Sequence, residues 1–355
     1  SVEVTTQAGD NIVVTFENQP QTGSFTVNKT DVDGKKVAGA EFTLYGENGY
    51  EASRRTISGV ASFSGIPIGT YMLKETTAPT GYKLSGTEYT VVVEGNKSNE
   101  SAATVTIKDK DGKAIKSLTV VNEYDVHSFT LEKQVIDNTW AAEKDKAAEF
   151  GFTVEFENEK HTTFAVRYND QETSTANGVV TISGVKLTNG GKATFDGLPY
   201  GTTVTVTENA RSDVWQTTWS NNAKVVDAAN DKTASATVED ATVTVTATNK
   251  RVTTEDAGHE IQLVKTWDDD GYKAYRPKSI TIEVYAKTDG GEYETTKLTQ
   301  QLAVATDPQT YEISSVGGKK LAMYDLDGNE YKYELRETKI GREDIKGGKA
   351  HGYVY

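Results

Sequence analysis

The sequence predicts an all-β protein made of three tandem β-sandwich domains in an elongated rod. Its 355 residues correspond to two or three domains of ordinary size. Segments rich in Val, Thr, Ile, Tyr and Phe alternate apolar with polar residues, and Gly, Asn and Asp separate them, as in residues 202–207 and 241–248. This alternation favours antiparallel sheets with one solvated face, and many short strands favour sandwiches. One short helix is expected near residues 140–150.

Composition excludes several classes of function. The formal charge of −14 gives no electrostatic footprint for a nucleic acid or an anionic membrane, and no apolar run is long enough to cross a bilayer. The absence of cysteine excludes disulfides, thiolate metal sites and cysteine nucleophiles, and the four histidines are far apart. Two Asp-rich stretches, 268–271 and 325–329, are interpreted as turns because neither is a full calcium loop. We therefore expect no cofactor, no metal, no nucleic-acid partner and no membrane insertion.

Three strand phrases recur in one order along the chain and divide it into units at 19–125, 126–250 and 251–355. The first phrase ends in lysine, at Lys29, Lys133 and Lys265. The second ends in glutamate, at Glu75, Glu208 and Glu337. The third ends in asparagine, at Asn122 and Asn249.

The third unit lacks a final asparagine strand, whereas the chain begins with one that ends at Asn18. If the end is joined to the beginning, Tyr353, Tyr355, Val2 and Val4 alternate on one face. We therefore predict that residues 1–18 form a strand hairpin that completes the third-type domain of a neighbouring copy. A tandem array on one polypeptide and strand exchange between subunits both remain open. The alternative is a stray strand beside an incomplete domain.

The period of two along a strand predicts that all nine of these polar residues face the core. Burial pushes lysine and glutamate toward their neutral forms, and a neutral amine is a nucleophile. A lysine amine can then attack the asparagine amide and release ammonia, with glutamate relaying protons. The product is an isopeptide bond, and because each domain reacts once the chain is not a turnover enzyme. The alternative is a buried salt bridge with a nearby asparagine, but recurrence in three units favours crosslinks.

Longer phrases around these residues resemble a known family. The first unit is similar to the collagen-adhesin B-type (CnaB, SpaA-like) domain of Gram-positive surface proteins, through residues 29–34, 40–45, 69–82 and 121–124. The third unit resembles another branch of that family, through residues 264–271, 276–285 and 331–338. The middle unit is similar to pilin-type domains with the same crosslink, through residues 197–208 and 247–250.

The resemblance implies immunoglobulin-like, CnaB-type sandwiches with specific site residues. The implied crosslinks are Lys29–Asn122 with Glu75 as catalyst, and Lys133–Asn249 with Glu208 as catalyst. In the third unit Lys265 and Glu337 match, and we assign the missing partner to Asn18 of the preceding or following copy.

The implied function is structural and extracellular. We expect a stalk or filament subunit of a fibre on the surface or cell wall of a Gram-positive-like bacterium, with neighbouring copies of itself as partners. Because lysine lies on the first strand and asparagine on the last, a pulling force would meet a covalent clamp in each domain. A ligand-binding adhesin module for collagen or glycan is the alternative, so a host or matrix ligand remains open.

Overall fold

The computed structural model describes residues 3–5, 7–9, 11, 13–97, 102–220, 224–225, 232–270 and 272–354. The chain forms two compact units, residues 1–125 and 126–355. Strands dominate both, and α1 (Ala142–Ala147) with two 3₁₀ turns (Glu47–Gly49 and Lys273–Tyr275) make up the helical content of the described residues. The prediction of an all-β chain with one short helix is confirmed. No helix in these ranges is both long and apolar enough to cross a membrane.

The first unit is a sandwich of two sheets. One sheet has the order β4-β1-β9 and the other β3-β2-β5-β6-β7-β8. The first strand, β1, lies between β4, which is antiparallel to it, and the last strand β9, which is parallel to it. The strands are β1 (Gly23–Asp31), β2 (Glu41–Tyr45), β3 (Glu51–Arg55), β4 (Val60–Ile66), β5 (Gly69–Thr77), β6 (Glu88–Glu94), β7 (Thr104–Lys108), β8 (Ala114–Ile115) and β9 (Leu118–Asn122).

Alternation in the sequence explains this sandwich. In β5, Tyr71, Leu73 and Glu75 are buried, whereas Thr70 before them and Met72 between the first two are exposed. The buried residues of both sheets meet in one apolar cluster that includes Leu73. Glu75 is two residues after the buried Leu73, so its polar side chain also points into the core.

The second unit begins with another two-sheet sandwich. Its sheets have the orders β13-β12-β15-β10-β20-β17 and β14-β11-β16-β19-β18, and the first and last strands, β10 and β20, are again parallel neighbours. The strands are β10 (Val126–Val135), β11 (Phe150–Glu157), β12 (Phe164–Tyr168), β13 (Gln171–Thr175), β14 (Val179–Leu187), β15 (Lys192–Pro199), β16 (Thr202–Glu208), β17 (Trp215–Ser220), β18 (Lys224–Val225), β19 (Thr233–Val238) and β20 (Thr242–Arg251).

One glycine in β15 is required by close packing of two backbones. Gly197 has φ +88°, and a Cβ there would lie 2.4 Å from the carbonyl oxygen of Ala165. Any side chain would therefore push β12 and β15 apart, and both strands belong to the sheet that holds β10.

The rest of the second unit is a third domain with a smaller core. Its main sheet has the order β23-β22-β27-β28, and β21 pairs with β24 in a two-stranded sheet. Ile280, Ile282, Val284 and Leu321 are among the buried residues between them. The strands are β21 (Gln262–Lys265), β22 (Ser279–Lys287), β23 (Glu294–Ala303), β24 (Gln309–Glu312), β25 (Ser315–Val316), β26 (Lys319–Lys320), β27 (Lys332–Ile340), β28 (Glu343–Asp344), β29 (Lys349–Ala350) and β30 (Tyr353–Val354).

Buried polar contacts join the second and third domains. Arg251, at the end of β20, is 1% exposed; its Nε lies 3.5 Å from Asp145 Oδ1 and its guanidinium donates to the carbonyl oxygen of Tyr324. Nearby, Trp140 Nε1 donates to Tyr333 Oη at 2.9 Å. Because these partners come from both domains, the two sandwiches share one desolvated junction.

The segment before β1 carries no strand among its described residues. Asn18 is exposed, whereas Gln21 is held by the first domain, because its side-chain amide donates to Asn96 O at 3.1 Å and accepts from Asn96 N at 2.9 Å. Residues Ser1, Val2, Ile12 and Tyr355, on which part of the predicted hairpin depends, lie outside the described residues. Since the hairpin was predicted for contact with a neighbouring copy, it stays a prediction.

Candidate functional site

The first candidate site lies in the core of the first domain. Lys29 on β1 and Asn122 on β9 belong to one sheet, and Glu75 on β5 comes from the facing sheet; all three are buried. Asn122 Nδ2 donates to Glu75 Oε1 at 2.9 Å, and Glu75 Oε2 accepts from Ser85 N at 2.8 Å. The amide and the carboxyl group are therefore already in contact, and the backbone at Ser85 fixes the carboxyl.

The amine of Lys29 reaches into the same space. Its Nζ donates to the carbonyl oxygens of Thr30 at 2.9 Å and Val120 at 3.2 Å. Burial lowers the pKa of Lys29, and the negative charges of Glu75 and Asp31 oppose this effect. The neutral, nucleophilic form of the amine is thus favoured compared with a lysine in water.

The second candidate site repeats the arrangement with tighter contacts. Lys133 on β10 and Asn249 on β20 share one sheet, and Glu208 on β16 comes from the other. Lys133 Nζ donates to Asn249 Oδ1 and lies 3.4 Å from Glu208 Oε1. The amine also lies 4.0 Å from the centroid of the Phe150 ring, which covers it with an apolar surface.

Burial has a larger effect on this second lysine. It lowers the pKa of Lys133 to about 8, although Glu208 opposes the shift by favouring the charged amine. At neutral pH a lysine with this pKa is about one-tenth neutral, so an uncharged nucleophile is available without an external base. Glu208 is held from its other side, because Oε2 accepts from Thr217 Oγ1 at 2.8 Å.

The two sites share one strand register. Lys29 is opposite Val120, and Lys133 is opposite Ala247; in each case the opposing residue is two before the asparagine. Residues two apart on a strand point to the same face, so the lysine and the asparagine meet diagonally across two parallel strands. The first and last strands of each domain supply the two reacting groups.

The third candidate site contains two of the three groups. Lys265 Nζ on β21 lies 3.1 Å from Glu337 Oε2 on β27, and their side chains are 17% and 9% exposed. Trp267 covers the amine, with its ring centroid 4.4 Å from Lys265 Nζ. Asn18, predicted to complete the site, is an exposed residue in the other compact unit of the chain.

The strand that carries Lys265 has a free edge among the described residues. β1 and β10 each lie between an antiparallel and a parallel neighbour, whereas β21 is paired with β24 alone. The position occupied by the asparagine strand in the first two domains is the unpaired side of β21. Six of the nine polar residues predicted to face a core are fully buried, and the three others belong to this incomplete set.

Several residues of these sites were not identified from the sequence. Thr217 and the aromatic covers Phe150 and Trp267 all contact a site residue. Trp267 follows Lys265 by two positions, so the period of two could have placed both on one face. Thr217 and Phe150 gave no such signal, because they lie far from Glu208 and Lys133 along the chain.

The fold and these repeated sets of residues define a class, a multi-domain β-sandwich protein with candidate isopeptide triads. Family comparisons agree with the division into several domains. The model of the SpaA prealbumin-like fold domain matches residues 23–111, and that of the Cna protein B-type domain matches residues 261–352. A domain family of unknown function, DUF7601, matches residues 127–251. The chain therefore contains a SpaA-type domain and a Cna B-type domain, which confirms the resemblance of the first and third units to that family.

The solved structures that align with this chain include two pilins and a third bacterial protein. The T-13 major pilin of Streptococcus pyogenes aligns with 18% identity and a TM-score of 0.35, over 65% of this chain and 97% of the pilin. Another major pilin from Streptococcus pyogenes gives 15% identity and a TM-score of 0.34, over 66% and 100%. The TIE protein of Bacillus anthracis aligns with 18% identity and a TM-score of 0.38, over 90% of this chain and 46% of that protein. No curated protein matches the sequence significantly.

Proposed function

We propose that the protein is a structural subunit of a fibre on the surface of a Gram-positive bacterium, stabilised by two internal isopeptide bonds. The observation that carries the proposal is the shared register of the two complete sites. Each brings a buried lysine and a buried asparagine together from the first and last strands, opposite a glutamate from the facing sheet. The bonds would join Lys29 to Asn122 and Lys133 to Asn249, with Glu75 and Glu208 as catalytic residues.

The reaction follows from the geometry of the second site. The neutral amine of Lys133 attacks Cγ of Asn249, and Glu208 takes a proton from the attacking nitrogen. The carboxyl group then gives a proton to Nδ2, the Cγ–Nδ2 bond breaks and ammonia leaves. Glu208 ends as it began, whereas lysine and asparagine are consumed, so each domain reacts once and the protein is not a turnover enzyme.

The buried position favours reaction over simple ion pairing. A charged lysine at 0% exposure costs desolvation energy that one carboxylate offsets only in part. An amide bond between Lys133 and Asn249 is neutral and removes that cost. It also closes the domain into a covalent ring, a role that disulfides have in other secreted domains.

The open edge of β21 supports a link between copies of the chain. A donated strand in the register of the other two domains would put Phe16 opposite Lys265 and Val14 opposite Leu263. Val14 and Phe16 are 40% and 70% exposed here, as expected of apolar residues whose partner strand lies in another copy. We assign Asn18 of a neighbouring copy as the partner of Lys265, with Glu337 as the catalytic residue.

Intact mass measurement tests the internal bonds. The full chain should weigh less than its sequence mass by two ammonia molecules, one per complete site. Glu75→Ala and Glu208→Ala should each reduce the deficit to one ammonia relative to the variant's own sequence mass, and Glu337→Ala should leave the monomer with the full deficit of two. A wild-type mass equal to the sequence mass would refute the crosslinks.

Peptide mapping of assembled fibres tests the link between copies. We expect a branched peptide that joins Lys265 to Asn18 in fibres, and a free Lys265 amine in the monomer. Fibres in which Lys265 is free or bonded to another residue would contradict the assignment of Asn18, without affecting the internal bonds.

A further inference from the structure

Two buried polar atoms of the incomplete third site have no hydrogen-bond partner among the described residues. They are the indole nitrogen of Trp267, whose side chain is nine-tenths buried, and Oε1 of Glu337. A buried polar atom without a partner costs roughly 1–3 kcal/mol, so two of them at one place need an explanation.

Both residues adjoin the amine of Lys265. Glu337 uses its other oxygen, Oε2, to bind Lys265 Nζ at 3.1 Å, and the Trp267 ring lies 4.4 Å from the same nitrogen. Trp267 is fixed from two sides, since its backbone N donates to Asp307 Oδ1 at 3.1 Å and its ring lies 4.8 Å from the ring of Tyr353. The two residues that contact the lysine therefore carry one unused donor and one unused acceptor.

One unused donor and one unused acceptor are what a primary carboxamide requires. Its oxygen accepts a hydrogen bond and its nitrogen donates. The first domain already has half of this pattern, because Asn122 Nδ2 donates to Glu75 Oε1 at 2.9 Å. Glu337 Oε1 occupies the equivalent role in the third domain, which leaves the indole N–H for the carboxamide oxygen.

We propose that Trp267 is a specificity-determining residue that donates its indole N–H to the side-chain oxygen of the donated asparagine and so selects a carboxamide for bonding to Lys265. This inference rests on the proposed link between copies. Lys265 Nζ attacks the carboxamide carbon, the oxygen gains negative charge opposite the indole N–H, and the C–N bond to the leaving nitrogen breaks. Glu337 carries a proton from the attacking nitrogen to the leaving one, which departs as ammonia.

The register of the other two domains supports the required contact. With Lys265 opposite Phe16, Asn18 is opposite Trp267, and directly opposed residues of paired strands are about 4.8 Å apart. Once the bond forms, the oxygen is two covalent bonds from Lys265 Nζ, so it stays close to the ring that covers this nitrogen.

The second site differs from the third in a way that fits this role. The aromatic cover of Lys133 is Phe150, which has no N–H, and the asparagine there belongs to the same folded domain. An asparagine on a separate strand must be held in place before it can react. An aspartate at the same position would place its carboxylate next to that of Glu337. The Trp267 donor therefore adds selectivity where the partner arrives from outside.

A peptide with the sequence of residues 11–21 tests the inference on the full chain. The acceptor chain carries Asn18→Ala so that it supplies no asparagine strand of its own, and intact mass follows the adduct at several peptide concentrations. We expect an adduct that has lost one ammonia. In Trp267→Phe the half-saturating peptide concentration should rise and the limiting rate should fall. The ratio of the limiting rate to that concentration should decrease by about tenfold, which is the effect of one lost hydrogen bond. Trp219→Phe, in the second domain, is the matched control and should behave as the parent acceptor.

The outcomes separate the two proposals. No adduct with the parent acceptor overturns the link between copies and the inference with it; an adduct that forms equally fast in Trp267→Phe overturns the inference alone. A peptide with aspartate at position 18 should react at least tenfold more slowly near pH 7, and equal rates would contradict selection of a carboxamide. If Trp267→Phe does not fold, NMR spectroscopy of the parent acceptor tests the contact through the indole N–H resonance of Trp267. It should move downfield and exchange more slowly in the adduct, and an unmoved resonance refutes the contact.

Discussion

Arg251 follows Asn249 by two residues on β20, so one strand carries both a proposed crosslinking residue and the buried cation of the junction between the second and third domains. Asn249 and Arg251 are each 1% exposed or less. Arg251 contacts Asp145 of its own domain and the backbone of Tyr324 in the third. Tension along β20 would therefore reach the junction directly after the crosslink.

The junction should depend strongly on this arginine. Arg251→Met leaves the carboxylate of Asp145 buried without its cation, and we expect a loss of about 3–5 kcal/mol in the free energy of unfolding. The double variant with Asp145→Leu should recover most of the loss, because it removes the unpaired charge. Urea unfolding of the full chain measures both effects.

The matched control for that experiment is Arg167→Met. Arg167 forms an ion pair with Glu172 at 2.7 Å, but its side chain is 71% exposed, so stability should hardly change. Equal effects of the two arginine variants would show that the junction contributes nothing beyond an ordinary surface pair.

Loss of the first crosslink should destabilise the first domain. By analogy with a disulfide that closes a loop of about 100 residues, Asn122→Ala should cost roughly 4–5 kcal/mol and speed proteolysis. Thermal unfolding and limited proteolysis measure the difference. Asn18→Ala removes an asparagine that is exposed in the monomer and should alter neither quantity. If Asn122→Ala has the stability and the proteolysis rate of the parent chain, the first domain is not closed into a covalent ring.

The hydroxyl of Thr217 should accelerate the second bond. It donates to Glu208 Oε2 and leaves Oε1 toward Lys133, so Thr217→Val should slow crosslinking after refolding by roughly tenfold, the effect of one hydrogen bond to a carboxyl group. The time course of ammonia loss, followed by mass, gives the rate. Thr218→Val changes the next residue, which is exposed, and should keep the parental rate of crosslinking. An equal decrease in rate for Thr218→Val would mean that the substitutions disturb β17 itself.

Below pH 8, the rate at which the second bond forms should rise with pH. The nucleophile is the neutral amine, and burial lowers the pKa of Lys133 to about 8. Raising the pH from 6 to 7 should therefore increase the rate of ammonia loss about tenfold, with the increase levelling near pH 8. A pH-jump experiment on refolding chain with Glu75→Ala isolates this site. A rate that keeps rising to pH 10 would indicate a lysine with an unshifted pKa.

The fold and the six buried residues of the complete sites could be predicted because both depend on the local alternation of apolar and polar residues. Glu75 and Glu208 keep the phase of their strands, so burial of the neighbours implies their own. The pairing of first and last strands is a long-range property. Alternation within one strand carries no information about pairing between strands, so neither the position of Thr217 opposite Asn249 nor the entry of Arg251 into a junction with another domain could be predicted.

The anchoring of Gln21 to Asn96 limits how two linked copies could move. If Asn18 is bonded to Lys265 of a neighbour, only Gln19 and Pro20 separate the covalent branch from a side chain already held by the first domain. The three residue steps from Asn18 to Gln21 span at most about 11 Å, and the ring of Pro20 fixes one backbone torsion between them. Consecutive copies would be coupled through a hinge with almost no slack, so a filament of them would transmit bending as well as tension.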